Sequence, residues 1–243
     1  MKIYKNKPKT ITHEDDRPES NGEFFFLSQI LKNKNIVFDV GANVGNWSKK
    51  ALSVVSDISL YSFEPIPNIF NELIKNVPVA KCFNVAMSDT VGEKEFFDYG
   101  KTSTFFSQLS TFYKRNNKIE KQLNIVSRTI KVKTNTIDNF VKVNKIKKID
   151  YLKVDTEGGE LDVVNGAIEI IKKGKAKVVQ LEYGGCYLDA GIKFKSIYDI
   201  FINTNYTLYM LAPDGLWELS EWNEKMEDYK YSNIIAIYES TYH

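Results

Sequence analysis

Residues 39–45 read DVGANVG, a carboxylate followed two and six positions later by glycine. Gly41 permits a tight strand-to-helix turn, and Gly45 lets a ligand or the sheet come close to the backbone. A helix starting just after this loop offers free N–H groups that suit a carboxylate or phosphate. Glu64 closes the next apolar run (58–63). A carboxylate at that position can accept both hydroxyls of a ribose, so the pair of features suits an adenosine-containing ligand. The dinucleotide fingerprint wants glycine at the third loop position, where the pyrophosphate needs bare backbone. Asn43 stands there instead. Asp39 would repel a pyrophosphate but could pair with the amino group of a methionine moiety. Both points favour S-adenosylmethionine over NAD.

Asp155, Glu157 and Glu182 form the second group of interest. Attack of a hydroxyl on a sulfonium methyl group asks the protein to hold the partners in line and to remove one proton. A carboxylate does this when burial or like-charged neighbours raise its pKa. Asp155 is the expected base, with Glu157 or Glu182 as alternatives. The same three oxygen-bearing groups could hold Mg²⁺ or Ca²⁺; the expected arrangement is a hydrogen-bonded acidic pocket without a metal. Glu160 begins a helix, where the dipole alone favours an acid. Lys153, two residues before Asp155, shares its face of the strand and is placed to pair with it.

These residues need a scaffold that brings strand ends together. Apolar strands at 36–40, 58–63, 79–86, 149–154 and 178–181 alternate with helix-sized segments at 46–54, 67–75, 137–143, 161–172 and 194–203. That alternation calls for a parallel sheet with right-handed crossovers. Two further strands, 206–211 and 234–238, form a closing antiparallel pair with Pro213-Asp214-Gly215 as the turn signal between them. The prediction is a doubly wound seven-stranded α/β sheet. Its ligand crevice lies at the carboxyl ends of the strands, where Asp39, Glu64, Ala86, Asp155 and Glu182 fall. Residues 1–20 read as a loose arm, followed by an amphipathic helix at 23–31. One domain spans 36–243, with an insertion at about 88–134 that carries a side hairpin (93–97 and 129–133). Within it, Phe105, Phe106, Phe112 and Tyr113 either cover the ligand or pack the insertion, and the basic run 114–121 reads as a solvated loop.

With these residues in place, the sequence resembles the FkbM-type methyltransferases. The resemblance is carried by FDVGANVG (38–45), SFEPIPNIF (62–70), NVAMSDTVGEKEF (84–96), TNTIDNF (134–140), YLKVDTEGGE (151–160) and VVQLEYGG (178–185), in that order. It implies a class I, Rossmann-like methyltransferase fold and O-methylation of a hydroxyl on a sugar, a glycan or a small secondary metabolite. It also implies that Asp39, Gly41, Asn43 and Gly45 hold the methionine end of the cofactor and that Glu64 holds the ribose. Pro65, Ala86 and Met87 then flank the adenine, with Ser88 or Asp89 near its amino group, and Asp155 lies beside the sulfonium and the acceptor.

Composition narrows the field further. Formal charge is +2, with 43% hydrophobic and 26% charged residues, which is the profile of an ordinary globular chain. No apolar stretch is long enough for a membrane span, and the polar, basic start has no secretory h-region, so a cytoplasmic protein is expected. Cys82 and Cys186 form no CxxC pair, which disfavours zinc or a disulfide framework. His13 and His243 leave no central histidine for a Ser-His-Asp triad. Arginine occurs only at 17, 115 and 128, so nucleic acid is not the expected partner; a small-molecule or glycan acceptor is. Two rival readings share the glycine loop. A NAD-linked sugar oxidoreductase lacks its third-position glycine and a Tyr-x-x-x-Lys pair, and a non-catalytic docking module would have no use for intact glycines and carboxylates.

Overall fold

A computed structural model describes residues 2–5, 15–99, 109–115, 120 and 124–239. Its strands are β1 (Ile3–Tyr4), β2 (Ile36–Val40), β3 (Ser59–Phe63), β4 (Lys81–Phe83), β5 (Ala86–Met87) and β6 (Gly92–Asp98). They continue with β7 (Arg128–Asn135), β8 (Ile149–Val154), β9 (Ala176–Tyr183), β10 (Tyr206–Ala212), β11 (Gly215–Glu218) and β12 (Ser232–Tyr238). The main sheet runs β1-β11-β10-β12-β9-β8-β2-β3-β4. From β4 to β9 the strands are parallel, and β12 lies antiparallel between β9 and β10. This is the class I methyltransferase arrangement. β2, the first strand of the βα series, has β8 on one side and β3 on the other, so strand order reverses at β2. Crevices in such sheets open at the carboxyl ends beside that reversal.

Helices cover both faces, which is why the parallel strands read as continuous apolar runs. On one face lie α1 (Glu23–Ile30), α2 (Asn46–Val54) and α3 (Pro67–Asn76), packed through Phe26, Trp47, Ala51 and Leu73. Pro67 takes the first position of α3, where its missing N–H costs nothing. On the other lie α4 (Ile137–Val143), α5 (Glu160–Gly166), α6 (Ile168–Lys172), α7 (Cys186–Ala190) and α8 (Phe194–Ile202). Here the Phe140 ring stands edge-on to Phe63 at 5.0 Å. No helix among the described residues is long and apolar enough to cross a membrane.

The sheet departs from the expected seven strands in three places. The Pro213-Asp214 turn joins β10 to β11 as a tight hairpin rather than joining β10 to β12. Residues 1–20 were expected to be loose, yet Ile3 and Tyr4 pair with Leu216 and Trp217, and the Tyr4 ring stacks on Trp217 at 4.5 Å. The single strand expected at 79–86 divides: β4 stays in the main sheet, whereas β5 leaves to pair with β7 in a three-stranded side sheet, β5-β7-β6. The expected helix 161–172 is also interrupted, at Ala167. A Cβ on Gly166 would stand 2.0 Å from the Ser88 carbonyl oxygen, so the helix presses directly on the chain leaving β5.

Candidate active site

The loop after β2 is held in its turn by three backbone hydrogen bonds to the ends of β3 and β8. The Gly41 and Ala42 N–H groups donate to the Phe63 carbonyl at 3.1 and 3.0 Å, and the Asp155 N–H donates to the Val40 carbonyl at 3.0 Å. Gly41 sits at φ +81°, and a Cβ there would stand 1.7 Å from the Asp155 carbonyl oxygen, so the two strand ends touch only because this residue is glycine. Gly45, at φ +88°, faces elsewhere: its missing Cβ makes room for Val77 and Leu73 of the α3 region, at 2.5 and 2.8 Å. Its freedom serves helix packing, and it does not line the crevice.

The crevice is a cleft of about 920 Å³ across the ends of β2, β3, β8 and β9, a size that suits a cofactor with part of an acceptor. Gly41, Asn43, Glu64, Pro65, Ala86, Met87, Asp155, Glu157 and Glu182 all line it. Glu64 is 5% exposed. One carboxylate oxygen accepts the Asn43 N–H at 3.0 Å and the other the Ile66 N–H at 2.8 Å. Each oxygen keeps a further lone pair. Burial pushes this carboxyl up to about 7, against the pull of the two N–H donors. A group with one open acceptor on each oxygen fits a ribose diol, which supports S-adenosylmethionine as a match to this chain's own residues. Asn84 steadies the turn by donating its side-chain amide to the Glu64 and Pro65 carbonyls, both at 2.9 Å.

Asp39 is placed differently from expectation. It precedes the last residue of β2, so its side chain points to the α2 face, under the floor of the cleft. It is fully buried; Oδ2 accepts the Ser48 hydroxyl at 2.6 Å, while Oδ1 accepts no hydrogen bond. Ser62, Asp39, Lys153 and Gln180 are register partners on four adjacent strands, making one buried polar row across the sheet. Lys153 stands 4.0 Å from Asp39 and 2.8 Å from Asp155. Burial opposes its charge, but Asp155, Asp39 and Glu23 hold the ammonium well above its ordinary value. Burial raises the Asp39 carboxyl, with Lys153 and Ser48 opposing.

Asp155, Glu157 and Glu182 converge as their strand-end positions suggest, with carboxylate oxygens within 4.8 Å of one another. The Asp155 side chain is one-third exposed to the cleft. Burial works against its ionisation, yet the Lys153 ammonium and a hydrogen bond from Glu182 hold it below the usual carboxylate range. Glu182 moves the opposite way: burial and the adjacent Asp155 charge keep its proton in place. Of the two, Asp155 favours the ionised form and Glu182 the protonated form. Glu157, in left-handed conformation at φ +57°, is ion-paired with Arg115. Burial lifts its carboxyl to about 7 although Arg115 pulls it down. A divalent ion at this trio would have to compete with Lys153 and Arg115 for the same oxygens. Glu160 does not join them. Its oxygens accept the Thr156 N–H at 2.7 Å, the Thr156 hydroxyl at 2.9 Å and the Gly158 N–H at 2.9 Å, which fixes the turn that presents Asp155 and Glu157.

The insertion divides between wall and brace. Phe112 lines the cleft, its ring edge-on to Phe96 at 5.1 Å, and the Tyr113 hydroxyl donates to Asp162 at 3.1 Å. Phe105 and Phe106 lie outside the described residues. Within the run 114–121 read as a solvated loop, Lys114 is exposed but Arg115 is not: it is 6% exposed, and its guanidinium reaches Glu157 and lies 3.6 Å from Asp189, while 116–119 and 121 lie outside the described residues. Ser88 is buried and turned from the cleft, its hydroxyl accepting from Lys94 at 2.9 Å and donating to Asp89 at 3.1 Å. Glu23 and Trp47 also line the cleft. The amphipathic pattern of 23–31 placed Glu23 on no particular face, and the structure buries it against Gln180 at 2.7 Å.

Comparison with known proteins defines the class. Residues 39–231 match the methyltransferase FkbM domain, and the chain belongs to that family. It is a class I, S-adenosylmethionine-dependent methyltransferase. It is 25% identical over 197 residues to the 2-O-methyltransferase NoeI of Sinorhizobium fredii, covering 78% of this chain and 79% of that one. It is 23% identical over 158 residues to the hexuronic acid methyltransferase AglP of Haloferax volcanii, covering 65% of this chain and 60% of AglP. Among solved structures, precorrin-6y C5,15-methyltransferase from Geobacter metallireducens superposes with a TM-score of 0.49 at 8% identity, over 97% of this chain and 94% of that one.

Proposed function

We propose that this methyltransferase transfers the methyl group of S-adenosylmethionine to a hydroxyl of a sugar or glycan. The observation that carries the reading is that a single cleft holds Glu64, with both oxygens still able to accept, and the converging carboxyls of Asp155 and Glu182. The named relatives support it: one is a 2-O-methyltransferase and the other acts on a hexuronic acid.

In this reading Glu64 holds the ribose, and Gly41 with the Asn43 backbone faces the methionine end. Pro65, Ala86 and Met87 border the adenine. Asp39 and Gly45 act from behind the wall, Asp39 by fixing Lys153 and Gly45 by seating the loop on α3. S-adenosylmethionine supplies a methyl group already activated on positively charged sulfur. The chain's part is to hold the acceptor oxygen in line and to take its proton. Asp155 is ionised and open to the cleft, so its carboxylate receives that proton, although Lys153 and Glu182 hold it below the usual range and make it a weaker base than the raised carboxyl expected from the sequence. Lys153 and Glu182 keep Asp155 oriented; Glu157, tied to Arg115, shapes the acceptor side.

The test is Asp155→Asn. Affinity for S-adenosylhomocysteine, measured by calorimetry, should stay within about twofold, whereas methyl transfer to glycosides should fall by about 10²-fold or more. Full turnover in this variant would remove Asp155 from the reaction. Heat from NAD but none from S-adenosylhomocysteine would favour the oxidoreductase instead.

A further inference from the structure

Seven carboxylates line the cleft, from Asp16 and Glu19 ahead of α1 to Glu182 on β9; among the described residues only two cations do, Arg115 and Lys153. The imbalance is local, because the whole chain carries a formal +2. Both cations are already engaged. The Lys153 side chain, 8% exposed, lies 2.8 Å from Asp155 and 4.0 Å from Asp39. The Arg115 side chain, 5% exposed, pairs with Glu157, lies 3.6 Å from Asp189 and donates its Nε–H to the Leu109 carbonyl at 3.3 Å.

Apart from Glu182, which keeps its proton, these carboxyls accept hydrogen bonds when ionised, so the lining asks its ligand chiefly for donors. Hydroxyls and ammonium groups supply them. On the acceptor side, beside Asp155 and Glu157, a ligand carboxylate or phosphate supplies none, and it would meet like charges with no unpaired cation among the described lining residues to offset them. Juxtaposed like charges and displaced buried ion pairs are effective means of rejecting a wrong partner. We propose that the acceptor is a hydroxyl-rich sugar that is neutral or carries an amino group, and that uronates and sugar phosphates are excluded by the paired state of Arg115 and Lys153. This inference rests on the acceptor reading above and narrows it. At 23% identity, AglP's hexuronic acid need not be shared.

The experiment uses the full chain, S-adenosylmethionine and matched acceptors: methyl glycosides of common hexoses, their 6-carboxylate counterparts and their 2-amino counterparts. Methyl transfer is followed by mass spectrometry. The neutral or amino member should exceed its uronate in kcat/KM by about tenfold or more, and lower salt should widen the gap. Glu157→Gln leaves Arg115 without its nearer carboxylate, Asp189 remaining at 3.6 Å, and should raise the uronate-to-neutral ratio by about tenfold. Uronates turned over as well as neutral glycosides would overturn the proposal, and an unchanged ratio in E157Q would overturn the role given to Arg115. Binding of S-adenosylhomocysteine with no glycoside of any charge methylated would instead bring down the acceptor reading itself, and this proposal with it.

Discussion

Replacing Lys153 with methionine keeps the length of the side chain and deletes the one charge between Asp39 and Asp155. Asp39 bears the larger consequence. It is fully buried, and its Oδ1 accepts no hydrogen bond, so Lys153 at 4.0 Å is its electrostatic compensation. Removing one member of a buried ion pair costs about 3–5 kcal/mol. Asp155 adds little to that figure, because its side chain is one-third exposed and water screens it. For a chain of this size, at about 2–4 °C per kcal/mol, Tm should drop by roughly 6–20 °C. The pH dependence follows from the sign of the shifts. Without the cation, burial holds the folded-state pKa of Asp39 above its ordinary 3.8. A raised carboxyl favours folding below its unfolded pKa and loses that advantage as pH rises through the folded value. The penalty in K153M should therefore grow as pH rises above about 3.8 and be smaller at pH 5 than at pH 8. In the unsubstituted chain Lys153 stays charged across this range, since its pKa is raised from 10.5. Urea unfolding at the two pH values measures the difference, and the double variant K153M/D39N should regain more than half of the loss at pH 8. Equal losses at both pH values, or a double variant no better than the single, would refute the reasoning.

Other outcomes follow from single contacts. Gly41→Ala forces a Cβ to 1.7 Å from the Asp155 carbonyl oxygen and should abolish S-adenosylhomocysteine binding in calorimetry. Gly45→Ala meets only Val77 and Leu73 side chains, so thermal unfolding should show a loss of about 1–3 kcal/mol while affinity persists. Glu160→Ala leaves the Thr156 and Gly158 N–H groups without their acceptor, at about 1–3 kcal/mol each, and should lower kcat more than cofactor affinity as the turn under Asp155 loosens. Ribose hydroxyls favour ionised Glu64, whose carboxyl sits at about 7 when free. S-adenosylhomocysteine affinity should accordingly weaken about tenfold from pH 8 to pH 6, with proton release seen as buffer-dependent calorimetric heats.

Much of the site is legible in the chain because local rules govern it. An apolar run, a glycine-bearing turn and a helix start leave few alternatives at 36–54, and the strand ends bring Glu64, Asp155 and Glu182 together by topology alone. Asp39 shows how a motif can mislead: the period-two alternation of a strand already aims it away from the residue after it, toward Ser48 and the Lys153 row. What stayed hidden depends on distant partners. β1 is two residues long and forms only because β11 offers an edge, and no local signal marks that pairing. Arg115 sits in a basic polar stretch, and its burial is set by Glu157, which is 42 residues away. The break at Ala167 comes from Ser88 pressing on Gly166, a contact invisible to helical periodicity.

The pairing of Ile3 with Leu216, and of Glu23 with Gln180, ties the first segment of the chain to strands synthesised much later. At about 5–20 residues per second, a ribosome needs roughly 10–40 s to travel from one partner to the other. From residue 45 until Glu182 is made, the growing polypeptide has the glycine turn yet lacks the β9 wall of its cleft. A nascent chain interrupted before β9 would carry the signature loop without Glu182, which faces it across the same cleft.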